Sequence, residues 1–136
     1  MYKFTLILLF ILTEATISYS QTTKPETNGG VLYKQYCISC HQADGGGVPH
    51  MVPPLFETTY VSGDKQRLIT ILLKGLNEPI TVQDEDYYNP MASFSYLTNA
   101  QLAAILSYIR THFGNKSSVI TAQEVAKVRQ LVLQKK

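Results

Sequence analysis

Residues 35–41 read QYCISCH and contain both cysteines of the 136-residue chain, with a histidine directly after the second. On a helix, residues three and four positions apart share one face. Tyr33, Cys37, Cys40 and His41 fall on one such face, and polar residues fall opposite. The pattern therefore predicts an amphipathic helix over residues 30–41, which presents two thiols and an imidazole on its buried side and stops in the glycine run 45–47.

Three common uses of paired cysteines fit this chain less well. A disulfide between residues three apart would close a very small loop and stabilise the fold little. A redox-active dithiol requires a strand-helix-strand setting, and no strand pattern of useful length is visible. A structural zinc site needs four ligands, usually from two separated pairs, but His50 and His112 each stand alone. Zinc stays open as a weaker alternative.

The spacing Cys-x-x-Cys-His is the attachment signature of c-type haem. Two cysteines on one helix face can each add to a vinyl group at one edge of the ring, while the imidazole reaches the iron. The stretch therefore predicts one haem c per chain, attached covalently through Cys37 and Cys40, with His41 as an axial ligand of the iron.

A second axial ligand decides between electron transfer and small-molecule chemistry at the iron. The candidates are Met51, Met91, His50 and His112. Met91 lies beside Pro90 in an irregular segment that can cross the haem face opposite His41. Met51 follows His41 by only ten positions and is more typical of a gap-filling side chain, and His112 is expected to be solvated at a helix end. We predict Met91, with a methionine packed in the core as the alternative.

The remaining segments predict an all-α fold of about four short helices with two long loops. Prolines and glycines argue against regular structure over residues 41–61 and again over 76–94. Helices are predicted over residues 64–74, from 98 to about 114, and from 121 onward. The last two begin with capping boxes, Thr98 with Gln101 and Thr121 with Glu124. The acidic residues 84–86 lack the spacing of a calcium loop and are interpreted as an exposed turn.

The N-terminal residues have the pattern of an export signal. Lys3 precedes an apolar run over residues 4–12, and small residues precede a cleavage site near Ser20. The apolar run is much shorter than the ~20 residues that span a bilayer, so no stable membrane anchor is expected. We predict a removed signal peptide (1–20), a flexible leader (21–28), one domain (29–115) and a helical extension (116–136).

Charge is unevenly distributed along the chain. Residues 21–115 contain six basic and eight acidic residues, whereas residues 116–136 contain five basic and one acidic. A basic tail can bind nucleic acid, but these charges have helical spacing in a chain predicted to be exported. A solvated helix face is therefore expected, and no nucleic-acid partner.

Together these residues resemble the small mono-haem class I cytochromes c of bacteria, including the cytochrome domains associated with exported dehydrogenases and reductases. The resemblance covers about residues 29–115. Its matching pieces are CISCH at 37–41, Pro53-Pro54-Leu55, Gly75-Leu76, Met91 with Phe94, and the helix that leads from Leu97-Thr98 into LAAILSYIR at 102–110.

The resemblance implies roles for residues around the motif. Gly29 and Tyr33 on the first helix are expected to cross Ile105 and Tyr108 on the third. A carbonyl of the proline pair, Pro53 before Pro54, is expected to accept the ring proton of His41. The remaining supporting pocket residues are Leu55, Tyr36 and Phe94. The chain departs from the family in having Ala92 after the methionine, where a proline is frequent, and in its extension.

The function expected from this reading is the transfer of single electrons between exported, periplasmic redox partners, such as a dehydrogenase, a reductase or a terminal oxidase. With His41 and Met91 on the iron, no position is left for a substrate, so the protein is not expected to be an enzyme. The alternative is a haem enzyme or a gas or peroxide sensor in which Met91 is displaced. A non-haem metal or structural module is a third class.

Overall fold

The computed structural model describes residues 26–134. The elements in this part of the chain are α1 (Gly29–Tyr36), α2 (Ile38–His41), α3 (Thr59–Ser62), α4 (Lys65–Lys74), β1 (Ile80–Val82), β2 (Glu85–Tyr87), α5 (Asn99–Thr111) and α6 (Ala122–Gln134). The predicted signal peptide and residues 21–25 of the predicted leader lie outside the described residues. None of the helices that the structure describes has both the length and the apolar character needed to span a bilayer.

The first predicted helix is divided at Cys37. Asn28, assigned above to the leader, is the N-cap of α1, and its side chain accepts hydrogen bonds from Gly30 N and Val31 N. Cys37 itself has φ −118° and separates α1 from α2, so the prediction of one continuous helix is wrong. Hydrogen bonds still cross the break, from Cys37 N to Tyr33 O and from His41 N to Cys37 O. Because the helical register persists, the sequence pattern contains no sign of the interruption.

The helices α1 and α5 cross at Gly29. A Cβ atom at this position would lie 2.7 Å from Tyr108 Cβ and would clash with the Ala104 carbonyl, so only glycine permits the approach. Tyr33 packs beside this crossing, with its ring centroid 5.5 Å from that of Tyr108. Ile105 belongs to the same buried core. The crossing fixes the motif helices against the longest helix of the domain.

Helix α4 has the predicted boundaries. Asp64 caps its N-terminus, and Gly75 ends it with φ 76°. Leu68 and Leu72 are buried, and so are their neighbours Ile69 and Leu73. Their burial follows from α6, which packs against α4 in addition to α5. A helix covered on more than one side buries a wider stripe than its own sequence pattern predicts.

Two short elements lie in segments predicted to be irregular. Strands β1 and β2 pair antiparallel, with Ile80 opposite Tyr87, and Gln83 and Asp84 both have positive φ in the connecting turn, as in a type I′ hairpin. Thr58 caps the single turn of α3. The prediction of an all-α class is confirmed except for this hairpin. Three-residue strands without an Asn-Gly turn are too short for an alternating pattern to be recognised.

The C-terminal extension forms a helix that packs on the domain. Both predicted capping boxes are present: Thr98 pairs with Gln101, and Thr121 exchanges hydrogen bonds with Glu124 at 2.7 Å and 3.2 Å. Val125 and Val128 of α6 are buried. The extension is therefore a bracing element of the fold.

Candidate haem-binding site

An apolar cleft lies between the motif helices, α4, α5 and the β-hairpin. It has two adjoining compartments, and a concave, mostly apolar cleft of this kind is typical of cofactor sites. The inner compartment is lined by Val61, Leu68, Ile71, Leu72, Ile105 and Ile109, and the outer one opens past Tyr36, Cys40, Met51 and Asn89. The residues common to both are Cys37, His41, Pro53, Leu76, Ile80, Met91 and Phe94.

His41 lies on one wall of the cleft, and a backbone carbonyl orients its ring. Its Nδ1 is 3.1 Å from Pro53 O, so a proton on Nδ1 leaves Nε2 with a free lone pair. Burial lowers the pKa of the imidazole, although the hydrogen bond to Pro53 opposes that shift. A neutral imidazole at neutral pH is the form that binds a metal.

The turn after the motif brings Pro53 beside His41. Gly47 has φ 67°, and a Cβ atom there would lie 2.8 Å from Pro53 O. The Gly47 N–H also donates to His41 O at 3.2 Å. Gly47 therefore contacts both the end of the motif, at His41 O, and the Pro53 carbonyl that orients the imidazole.

The two cysteines carry free thiols on the rim of the outer compartment. Cys37 is half-buried and Cys40 is exposed. Burial and the neighbouring Cys40 raise the pKa of the Cys37 thiol to about 11. Both side chains are thus available at the edge of a cavity that also contains the His41 ring.

Met91 lies on the same cavity as His41, in a segment fixed by backbone hydrogen bonds. Met91 N donates to Leu76 O at 2.7 Å, and Leu76 N donates to Met91 O at 2.9 Å. Further on, Ser93 Oγ donates to Leu73 O at 2.7 Å, and Phe94 N donates to Leu72 O at 2.8 Å. Met91 is therefore held against the C-terminal turn of α4.

Of the other candidate ligands, only Met51 reaches the cleft, and it does so at the exposed rim. Met51 is 53% exposed at the rim of the outer compartment. The His50 ring lies beside Glu85, with Nδ1 and Oε1 2.8 Å apart, and its side chain is 80% exposed. His112 is exposed, stacks on Tyr108 and has Nδ1 2.9 Å from Tyr108 O. The structure thus places His41 and Met91 on the cleft and excludes both of the other histidines from it.

The predicted pocket residues also line the cleft. Pro53, Pro54, Leu55 and Phe94 face the inner compartment, and Tyr36 faces the outer one. Ile105, predicted only for the helix crossing, lines the inner compartment as well.

The sequence did not predict the roles of residues in the hairpin, at the end of α5 and in the turn after it. Ile80 and Val82 line the inner compartment from β1, and their alternate spacing was the only available signal. Asn115 is buried and binds Leu55 O at 2.8 Å and Ile109 O at 2.9 Å. Arg110 is buried too and donates to carbonyls of Val61, Ser62, Gly63 and Ser118. These two side chains hold the wall of the cleft in place.

An imidazole, a thioether and two thiols around an apolar cleft make up a donor set that can hold a covalently attached haem, so the residues present fit that group. Residues 26–113 match the Cytochrome c family. The chain belongs to this family: it is a class I cytochrome c with covalently bound haem c, as the resemblance implied. Its role is that of an electron carrier or an electron-transfer subunit.

Individual relatives agree with this assignment. The chain is 36% identical over 113 residues to cytochrome c-552 of Thermus thermophilus, an alignment that covers 76% of this chain and 86% of that protein. It is 30% identical over 116 residues to the fructose dehydrogenase cytochrome subunit of Gluconobacter japonicus, covering 81% of this chain but 24% of that subunit. Over 104 residues it is 34% identical to the cytochrome c subunit of a quinone alcohol dehydrogenase of Komagataeibacter europaeus, covering 74% and 22%. The chain thus spans about a quarter or less of these two dehydrogenase subunits.

Proposed function

We propose that the protein is a single-electron carrier with one haem c, attached through Cys37 and Cys40 and ligated by His41 and Met91. The observation that carries this proposal is the shared cleft: His41 and Met91 line both compartments, and the two thiols lie at the outer rim. The four side chains come from two segments 50 residues apart, from 41 to 91.

The protein residues orient the ligands and exclude water. Pro53 O holds the proton of His41 on Nδ1, which directs the Nε2 lone pair toward the cleft and raises the basicity of the ring. The hydrogen bonds between Leu76 and Met91 hold the methionine segment at a constant position. The haem, when bound, supplies one-electron iron chemistry, and a thioether ligand favours its ferrous state. The apolar side chains of the inner compartment disfavour the extra charge of the ferric state.

We further propose that the carrier works outside the cytoplasm and passes electrons between an exported donor, such as a dehydrogenase or reductase, and an acceptor such as a terminal oxidase. The signal-like residues 1–20, which would be removed, support export. The names of the dehydrogenase cytochrome subunits support partners of the dehydrogenase kind. Contacts of such carriers are small and transient, about 1,200 Å² or less in total.

Carbon monoxide distinguishes this carrier from a haem enzyme or sensor. The protein is matured in a host that attaches haem c, reduced, and exposed to carbon monoxide, with Met91→Ala as the comparison. The wild-type spectrum should not change because Met91 blocks the iron, whereas the variant should bind the gas. If the wild-type protein bound carbon monoxide with an affinity similar to that of Met91→Ala, the proposal of a carrier whose iron is blocked by Met91 would be refuted. The enzyme or sensor alternative would then be favoured.

A further inference from the structure

The C-terminal helix α6 contacts the segment that carries Met91. Arg129 of α6 donates from Nη1 to Ser95 O at 2.7 Å and from Nη2 to Leu97 O at 2.8 Å. Its Nε donates to Asn99 Oδ1 at 2.8 Å. A planar guanidinium that makes three hydrogen bonds at once fixes the relative orientation of the groups that it joins.

The methionine segment is thereby fixed at both ends. Its beginning is hydrogen-bonded to the end of α4, at Leu72 and Leu73, and to Leu76 just after that helix. Its end, from Ser95 to Leu97, is held by Arg129. Within this segment, the rings of Phe94 and Tyr96 pack near Tyr36 of α1. The charged side chain of Arg129 therefore links α6 to the methionine segment.

Helix α6 is itself firmly attached to the domain. Val125 and Val128 are buried, and Val128 directly precedes Arg129. Lys65 of α4 forms an ion pair with Glu124, 2.9 Å apart. The guanidinium is therefore presented from a docked helix. This helix lies beyond residues 26–113, which match the family.

We propose that Arg129 is a positioning residue for the Met91 ligand: it makes displacement of the methionine from the ferric iron unfavourable by holding the end of its segment. The inference rests on the proposed ligation by Met91. On this proposal, an external ligand enters when Met91 withdraws, and the withdrawal also shifts the Ser95–Leu97 backbone, to which Arg129 is hydrogen-bonded. The hydrogen bonds of Arg129 then stabilise the state with Met91 on the iron more than the state with Met91 withdrawn. Such a difference between two states is what shifts the equilibrium between them.

The test measures the affinity of imidazole for the ferric holoprotein in wild type, Arg129→Gln and Lys127→Gln. Lys127 is an exposed basic residue on the same helix, so its variant removes the same charge without touching the segment. Arg129→Gln should increase imidazole affinity about tenfold, the change expected when charge-assisted hydrogen bonds are lost from the closed state only. Lys127→Gln should leave the affinity within twofold of wild type.

Asn99→Ala gives a second, milder variant that removes one acceptor of Arg129. It should increase imidazole affinity about threefold alone, and add nothing in the Arg129→Gln background, because coupled residues are not additive. A purely structural role for Arg129 would lower the melting temperature and leave imidazole affinity unchanged, and that result would overturn the inference.

A Met91→Ala variant separates failure of this inference from failure of the proposed ligation. If Met91→Ala binds imidazole no better than wild type does, Met91 is not the ligand and the proposed function fails. If Met91→Ala binds far more tightly while Arg129→Gln and Asn99→Ala match wild type, the ligation stands and only the role of Arg129 is refuted.

Discussion

The two walls of the cleft are built in different ways. The His41 wall is local: both thiols, the imidazole and its Pro53 partner lie within residues 37–53. The Met91 wall is assembled from distant parts of the chain, namely the end of α4, the bridge to Leu76, and Arg129 at the far end of the chain. The comparison teaches that a ligand held by a short motif is fixed by local geometry, whereas one held by tertiary contacts depends on how tightly several elements pack.

The largest expected effect concerns cofactor attachment. Cys37→Ala combined with Cys40→Ala should abolish covalent retention of haem, because no thioether bond to the ring can form. Met91→Ala should retain the haem covalently and lose only the side chain that blocks the iron. A denaturing gel stained for haem measures retention. Colour that remains with the double cysteine variant would refute the assignment of the His41 wall.

Alanine at two of the four left-handed glycines in the described residues sharpens the comparison. Gly47 (φ 67°) supports the His41 wall, and Gly75 (φ 76°) abuts the Met91 backbone, where a Cβ atom would lie 3.1 Å from Ser93 N. Each substitution should reduce the free energy of unfolding by about 2 kcal/mol or more, from left-handed strain plus backbone contact. Denaturant unfolding measures this loss.

The two glycine variants should differ at the iron. Only Gly75→Ala should allow the reduced protein to bind carbon monoxide, because only that glycine contacts the Met91 segment. Gly46→Ala is the control: its φ is not left-handed, and its Cβ would meet the Asp44 side chain at 3.1 Å. Equal carbon monoxide binding by Gly47→Ala and Gly75→Ala would contradict the independence of the two walls.

The smallest expected effect is a pH dependence at the start of α6, which braces the Met91 wall. The Thr121 N–H, followed by Lys65, lowers the pKa of Glu124 from 4.5 to about 2. A lowered folded-state pKa stabilises the protein above pH 4.5, and the stabilisation is lost as pH falls toward 2. Because Lys65 and Glu124 are partly exposed, the contribution is about 1 kcal/mol at most.

Glu124→Gln isolates this charge because glutamine keeps the capping box. Wild type should be more stable than the variant at pH 7, and the difference should disappear as pH is lowered through the window between 4.5 and about 2. Urea unfolding across this range measures it. A difference that grows on acidification would have the wrong sign for a carboxylate with a lowered pKa.

Prediction from sequence succeeded where the relevant interactions are local. The extent of α4 and both capping boxes each depend on residues a few positions apart. The break at Cys37 left no trace because helical hydrogen bonds continue across it. The hairpin was missed because its strands are only three residues long.

The long-range polar contacts that support the cleft had no sequence signal. Asn115 binds Leu55 across 60 positions, and Arg129 binds Ser95 across 34. A polar residue in a helix or loop has the same appearance in a sequence whether it is solvated or buried against distant carbonyls. The charges of the extension were accordingly interpreted as a solvated face, although Arg129 is directed at the methionine segment.

Proton NMR of the reduced holoprotein with methyl-labelled methionine tests the central claim most directly. A methionine bound to haem iron lies over the ring, whose current shifts its methyl resonance far upfield. The account predicts one such resonance, which disappears in Met91→Ala and persists in Met51→Ala. An upfield methyl that survives Met91→Ala, or a wild-type spectrum without one, would contradict ligation by Met91.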